Sequence, residues 1–133
     1  FYLRHDYEAV AAGPASDLIE RLRAALPSLR GRRLGGSTVQ TADDFAYVDP
    51  VDGAVSEHQG IRVELEDGAR IVYRLSGTGT EGATLRVYLE RFAADPARHA
   101  SAPAAALAGL AVAAAALADI EGMLGRTAPS VVA

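Results

Sequence analysis

The strongest structural signal in this sequence is a pair of alternating segments on either side of Glu66-Asp67-Gly68. Apolar and charged residues alternate from Ile61 to Leu65, and a second alternating segment runs from Ala69 to Arg74. Period-two alternation is typical of strands with one buried face, so this stretch predicts an antiparallel hairpin. Such a hairpin needs other elements to cover its apolar face, which restricts the chain to a fold that contains a sheet.

The length of the turn decides how the two strands of this hairpin face each other. A two-residue Asp67-Gly68 turn would set Leu65 opposite Arg70 and mix apolar with charged faces. A three-residue turn removes the conflict and places Gly68 in the left-handed position of a bulged turn. The predicted register pairs Leu65 with Ala69, Val63 with Ile71, Ile61 with Tyr73, and Glu64 with Arg70 as a cross-strand ion pair.

Periodicity elsewhere predicts two helices and further extended segments. Leucine and isoleucine at helical spacing predict a helix over residues 14–26, capped by Ser16 and ended near Pro27 and Gly31. A second, alanine-rich helix is predicted over residues 103–121, with Gly125 as its stop. The remaining extended segments are predicted at residues 37–41, 45–48, 83–91 and 126–133, with a turn at Asp49 to Gly53 and a break at Asp95-Pro96.

The order helix, adjacent strands, helix predicts an α+β domain. Strands joined by short turns pair antiparallel, so we expect an antiparallel sheet of about four strands with two helices packed on one face. A chain of 133 residues is the size of one domain, and 50% hydrophobic residues supply a core. We therefore expect one domain over residues 1–133. The start at Phe1, without an initiator methionine, leads us to expect a piece of a longer protein.

Composition excludes several classes of function. The chain has no cysteine, which excludes disulfides and thiolate chemistry and fits a reducing compartment, so we expect a cytoplasmic protein. The formal net charge of -4 argues against a nucleic-acid partner. The stretch from Ala100 to Ala118 is uncharged, but its alanine content, Pro103 and Gly109 argue against a membrane span.

The sequence offers no convincing metal site. His5, His58 and His99 are far apart and lack metal-ligand spacing, so we interpret them as ordinary loop or surface histidines. Asp43-Asp44 could form only a weak, adventitious site. Asp49 and Asp52 are typical turn residues.

The segment whose residues are best suited to bind a ligand runs from Arg74 to Arg86. It contains Gly77, Gly79 and Gly82, hydroxyl side chains, and an arginine at each end. Glycines let a backbone approach a ligand closely, loop amides can converge on an anion, and guanidinium groups bind phosphate bidentately. Two arginines match the charge of one phosphate monoester. From the residues alone, a flexible surface hairpin with incidental arginines remains an equal alternative.

The string RLSGTGTEGATLRVYLE resembles the phosphate-binding loop of the α-D-phosphohexomutase superfamily. The superfamily pattern falls on Arg74, Ser76, Gly77, Thr78 and Arg86. Phosphomannomutase-like members usually have an acidic residue and proline after the threonine and an earlier second arginine. Here Gly79 and Thr80 follow, which is similar to the phosphoglucomutases specific for glucose phosphates. The strings DFAYVDPVDG, QGIR and GRTAPSVV also resemble that branch.

This resemblance implies the fourth, C-terminal domain of a four-domain enzyme, with a TATA-binding-protein-like shape. It implies interconversion of glucose 1-phosphate and glucose 6-phosphate through a phosphoserine enzyme and glucose 1,6-bisphosphate, with Mg²⁺ held by three aspartates. The catalytic serine loop and the magnesium loop have no match in this chain, so catalytic residues and metal ligands are expected outside it. The five matching residues are expected to hold the phosphate that is not reacting, and the remaining domains and glucose phosphates are the expected partners.

Two alternatives stay open at this point. The chain could be a free-standing anion-binding module without catalysis, which an open reading frame beginning near Phe1 would support. The TATA-binding-protein-like shape also allows DNA binding, although fold alone does not give function and the net charge opposes it.

Overall fold

The computed structural model describes residues 2–34, 36–48, 55–79, 82–91 and 107–133. Within these ranges the chain forms seven strands and three helices. The strands are β1 (Tyr2–Val10), β2 (Arg33–Leu34), β3 (Ser37–Val48), β4 (Val55–Leu65), β5 (Arg70–Gly79), β6 (Gly82–Glu90) and β7 (Val131–Val132). The helices are α1 (Ala12–Leu29), α2 (Ala108–Ala118) and α3 (Ile120–Leu124).

All seven strands join one sheet in the order β2-β3-β4-β5-β6-β1-β7, and every pairing is antiparallel. Strands β3 to β6 form a meander, as short turns between consecutive strands require. Strand β1 pairs beside β6, and α1 then crosses the sheet to reach β2 at the opposite edge. The first strand of the chain is therefore the neighbour of the last long one.

The core lies between one face of the sheet and the helices. Alternate residues of β4, β5 and β6 are buried, and α1 contacts β3, β4, β5 and β6. The Tyr73 hydroxyl donates a hydrogen bond of 2.5 Å to the Ala114 carbonyl, which ties α2 to the middle of the sheet. The largest fully buried side chains are Tyr73, Leu18, Leu22, Leu29, Ile61, Leu65, Ile71, Leu85, Leu89, Leu107, Leu110 and Ile120.

Helix α1 is longer than predicted at both ends. The predicted Ser16 cap is wrong: the N-cap is Ala11, which makes no side-chain hydrogen bond. Pro14 fits in the first turn because backbone N–H groups there have no partner inside the helix. Pro27 does not end the helix. The last turn continues to Leu29, whose side chain is fully buried and anchors it.

The β4–β5 hairpin confirms the predicted register. Ile61 pairs with Tyr73, Val63 with Ile71, and Glu64 with Arg70. The Leu65 amide donates to the Ala69 carbonyl at 2.8 Å, and Gly68 has φ +87°. The predicted Glu64–Arg70 ion pair is wrong. Arg70 instead contacts Glu90 on β6 at 2.6 Å, while Glu64 lies 3.5 Å from Arg62.

The prediction of about four strands is wrong, because the described residues form seven. Strand β1 was not predicted, and β2 has only two residues, too few for a periodic signal. Strand β7 lies within the predicted extended segment 126–133. The predicted segments 37–41 and 45–48 belong to one strand, with irregular pairing near Val39 and Phe45. The α+β class and the antiparallel pairing are confirmed. The TATA-binding-protein-like shape stays a prediction.

The predicted helix 103–121 corresponds to two helices in the structure. Its first residues, 103–106, lie outside the described residues, as do the predicted turn 49–53 and the Asp95-Pro96 break. Asp119 adopts a left-handed conformation with φ +52° and ends α2, and its side chain accepts from the Gly122 amide at 3.2 Å at the start of α3. Gly125 ends α3 as predicted. Among the described helices, none is both long and apolar enough to cross a membrane.

Candidate phosphate-binding site

Arg74 and Arg86 lie directly opposite each other on neighbouring strands. Arg74 is on β5, Arg86 is on β6, and their Cα atoms are register partners. Residues opposite each other in an antiparallel pair project to the same face of the sheet. Their neighbours Tyr73 and Val87 point to the core, so both arginines lie on the face away from the helices. Both are half-buried.

The backbone between these arginines is a hairpin that extends further than the sequence suggested. Ser76 pairs with Thr84, and Gly79 pairs with Gly82, with an irregularity between the two pairs. Gly77 and Thr78 fall within that irregular part of β5. Thr80 and Glu81, at the tip, lie outside the described residues. The structure therefore places all five residues of the predicted site on one hairpin.

The start of β6, at the Gly79–Gly82 end of this hairpin, packs against a bulge in β1. The pairing of β1 with β6 shifts between Tyr7 and Val10, and Ala9 has φ +53°. Gly82 has φ +96°, and a Cβ atom there would lie 2.8 Å from the Val10 carbonyl oxygen. This position admits only glycine without a backbone shift.

A buried carboxylate lies beside Arg86. Asp6 on β1 is the register partner of Arg86 and is only 3% exposed. Its Oδ1 atom is 2.9 Å from Arg4 Nε and 3.9 Å from Arg86 Nε. A row of charged groups therefore crosses β5, β6 and β1 on the outer face of the sheet.

The other arginines near Arg74 are neutralised by carboxylates. Arg62 makes two hydrogen bonds to Asp43, of 2.9 and 2.6 Å, and these raise the pKa of the Arg62 guanidinium against the opposing effect of burial. Arg70 pairs with Glu90. No carboxylate among the described residues forms an ion pair with Arg74. Among the residues that the structure describes, Arg74 therefore differs from Arg62 and Arg70 in having no carboxylate partner.

Arg74 also borders an open cavity of about 270 Å³ on the outer face of the sheet. The aromatic side of this cavity is formed by Tyr2 and Tyr88, whose ring centroids are 6.5 Å apart. Tyr88 therefore lies on the outer face, whereas Tyr73 is fully buried in the core. The cavity is lined by Tyr2, Arg62, Arg70, Val72, Arg74, Tyr88 and Glu90.

The contribution of β1 to this site was not predicted from the sequence. Arg4 and Asp6 were not singled out, because the polar run from Arg4 to Asp6 breaks the alternation that marks a strand. The interpretation of His5 as a loop or surface residue is wrong. His5 lies within β1, paired with Val87, and burial lowers its pKa despite the neighbouring Asp6 carboxylate. The only feature of the sequence that could have indicated this part of the site is the Arg-x-Asp spacing of Arg4 and Asp6.

The carboxylates that could have suggested a metal site contact arginines instead. Asp43 binds Arg62, and Asp44 accepts a hydrogen bond from Arg23 on α1. Within the part of the chain that the structure describes, no group of three or more metal-ligating side chains comes together. Asp43 and Asp44 therefore do not fit a magnesium centre.

Comparison with known proteins identifies the family. Residues 1–130 match the family model described as the C-terminal domain of phosphoglucomutase-1. The chain belongs to this phosphoglucomutase family. It is 49% identical, over 99% of its length, to a phosphoglucomutase from Rhizobium radiobacter, and 45% identical to a cytoplasmic phosphoglucomutase from Pisum sativum.

Solved structures agree with this membership of the phosphoglucomutase family. The open form of the phosphoglucomutase parafusin from Paramecium superimposes on the whole chain with a TM-score of 0.83 and 38% sequence identity. The chain corresponds to 22% of that protein and to 24% of the Rhizobium and pea proteins. It therefore spans about a quarter of the length of the relatives that it matches.

Proposed function

We propose that this chain is the phosphate-binding domain of a phosphoglucomutase that interconverts glucose 1-phosphate and glucose 6-phosphate through glucose 1,6-bisphosphate and a phosphoserine enzyme. In this proposal Arg74, Ser76, Gly77, Thr78 and Arg86 bind the phosphate group that is not reacting. The observation that carries it is the direct opposition of Arg74 and Arg86 across β5 and β6. Family membership supplies the reaction class.

Charge and geometry support binding of one phosphate at this point. Two guanidinium groups on the same sheet face balance the charge of about -1.5 to -2 on a phosphate monoester. Arg74 has no carboxylate partner among the described residues, so none of these carboxylates competes with an anion for it. The glycines of the hairpin allow its amides to approach an anion closely.

The contribution of such a site to catalysis is positional. Binding energy from a non-reacting phosphate holds the substrate so that its other end meets the reacting groups. We propose that the catalytic serine and the ligands of an assisting Mg²⁺ lie outside this chain, because Asp43 and Asp44 are engaged by arginines. A cytoplasmic location is proposed from the printed names of plant relatives.

The experiment that tests the proposal has two parts. In the longer phosphoglucomutase that contains this domain, Arg86→Ala should lower kcat/KM by about 10- to 100-fold, the cost of losing a charge-assisted hydrogen bond. The 133-residue chain alone should show no mutase activity and only weak affinity for glucose 1-phosphate, on the order of millimolar. An unchanged kcat/KM in the Arg86 variant would remove Arg86 from the site.

A further inference from the structure

We infer that Asp6 is a positioning residue for anion binding. Its buried carboxylate lies on the Nε side of the Arg86 guanidinium and orients it electrostatically, which leaves the two terminal nitrogens of Arg86 for the anion. This inference rests on the proposed function, in which Arg86 binds a substrate phosphate.

The burial of Asp6 is the first observation behind this inference. Its side chain is 5% exposed, although it lies on the outer face of the sheet, where the neighbouring Arg4 and Arg86 side chains are 33% and 43% exposed. Removing a carboxylate from water is costly unless cations or hydrogen-bond donors compensate it. The guanidinium groups of Arg4 and Arg86 provide that compensation here.

The distances show how one carboxylate oxygen serves two arginines. Asp6 Oδ1 lies 2.9 Å from Arg4 Nε and 3.9 Å from Arg86 Nε. The Asp6 Oδ1 and Arg86 Nε atoms are both buried, and neither has an aligned hydrogen-bond partner among the described residues. Closing the gap to Arg86 by about 1 Å would create a charge-assisted hydrogen bond. The contact is thus poised to tighten when Arg86 binds an anion.

The main chain of Asp6 is fixed on both sides. Asp6 pairs with Arg86 on β6 and with Val131 on β7, and its carbonyl accepts a 2.7 Å hydrogen bond from the Ser130 amide. A carboxylate on a strand that is paired on both sides is a rigid support. This rigidity suits a group whose task is to orient a neighbouring side chain.

Positioning and simple electrostatics predict opposite effects of removing Asp6. Arg4, Arg74 and Arg86 carry three positive charges and Asp6 one negative charge, which leaves +2 for a phosphate dianion. If the Asp6 charge acted only through its field, removing it would tighten phosphate binding. If Asp6 orients Arg86, its removal weakens binding even though the site becomes more positive.

The test compares Asp6→Asn with Glu8→Gln in the 133-residue chain. Glu8 is an exposed carboxylate on the same strand, so its variant removes one negative charge without touching Arg86. Inorganic phosphate is titrated while NMR follows the Nε–Hε resonances of Arg74 and Arg86. Asp6→Asn should weaken phosphate affinity by about fivefold or more, whereas Glu8→Gln should change it by less than about twofold.

Equal or tighter phosphate binding by the Asp6→Asn chain would overturn the inference. If that variant fails to fold, Asp6→Glu replaces it. This change keeps the charge but displaces the carboxylate, and the same weakening is expected. If the unaltered chain shows no phosphate response at either arginine, the proposed function fails separately. The ligand-free chain then still decides the point. If Asp6 restrains Arg86, the Asp6→Asn change should increase the ps–ns mobility of the Arg86 Nε–Hε group in NMR relaxation, and unchanged mobility would overturn the inference.

Discussion

Gly82 lies so close to Val10 that a Cβ atom on Gly82 would be 2.8 Å from the Val10 carbonyl oxygen. The same Cβ atom would be 3.4 Å from the Ala9 carbonyl carbon. Both contacts are with main chain, which cannot move aside as a flexible side chain can. The approach seats the candidate phosphate hairpin against β1, and it makes the glycine at this position a structural requirement.

Gly82→Ala should therefore destabilise the domain. The substitution combines a backbone clash with a φ of +96° that alanine rarely adopts, and we expect a loss of about 2 kcal/mol or more in the free energy of unfolding. Urea denaturation measures this. Gly109→Ala is the matched control, because a Cβ atom at this position in α2 meets nothing within 4 Å. That control should be neutral or stabilising by up to about 1 kcal/mol.

Ala9→Gly should have the opposite effect on stability. Ala9 is a non-glycine residue with φ +53°, where its Cβ atom is strained, and glycine removes the strain. We expect a gain of up to about 1 kcal/mol, partly offset by the greater freedom of glycine in the unfolded chain. Ala24→Gly in the exposed middle of α1 is the control and should cost about 1 kcal/mol. A loss of stability in Ala9→Gly comparable with that control would contradict the strain argument.

Local pattern was enough to predict the centre of the sheet. The alternating segments on either side of Glu66-Asp67-Gly68 allowed one turn length that matched apolar with apolar and charged with charged residues, and the structure has that register. Strand β1 escaped prediction because Arg4, His5 and Asp6 are three consecutive polar residues. The buried Asp6 carboxylate lies beside Arg4 on its own strand and Arg86 on β6. The contact between Asp6 and Arg86 joins residues far apart in the sequence, so no local pattern could predict it.

The candidate site, like the sheet, has one part that the sequence predicted and one part that it did not. The sequence placed Arg74 and Arg86 at the two ends of one loop, and short-range chain geometry makes two such ends neighbours across a hairpin. Family resemblance supplied their assignment to phosphate. The support from Asp6 and the close approach of Val10 to Gly82 depend on the pairing of β1 with β6. That pairing joins the start of the chain to a later strand, so periodicity could not reveal it.

Alkaline pH should destabilise the domain through its buried tyrosines. Burial raises the pKa of Tyr73 and of Tyr7 above the ordinary value of 10.0. The folded chain therefore keeps protons that the unfolded chain loses, and stability present below about pH 10 is lost as the pH rises. Each tyrosine contributes a slope of up to about 1.4 kcal/mol per pH unit.

Urea denaturation between about pH 8 and pH 11 measures that slope. Tyr73→Phe should flatten it, and should also cost about 1 to 2 kcal/mol at neutral pH through loss of the hydrogen bond to Ala114. Below about pH 9 the curves for Tyr73→Phe and the unaltered chain should run parallel. An unchanged slope above that pH in Tyr73→Phe would show that Tyr73 does not cause the alkaline loss.

Two arginines on the same strand should respond differently to the same conservative change. Arg74→Lys keeps the positive charge but loses the planar fork that binds two phosphate oxygens, so we expect phosphate affinity to fall by about three- to tenfold. Arg70→Lys is the control, since Arg70 lies on the same strand and face but pairs with Glu90. Phosphate titration of both variants by NMR or calorimetry compares them directly. Equal losses in the two variants would mean that the anion is attracted by the general charge of the sheet face, and that Arg74 has no specific part in binding it.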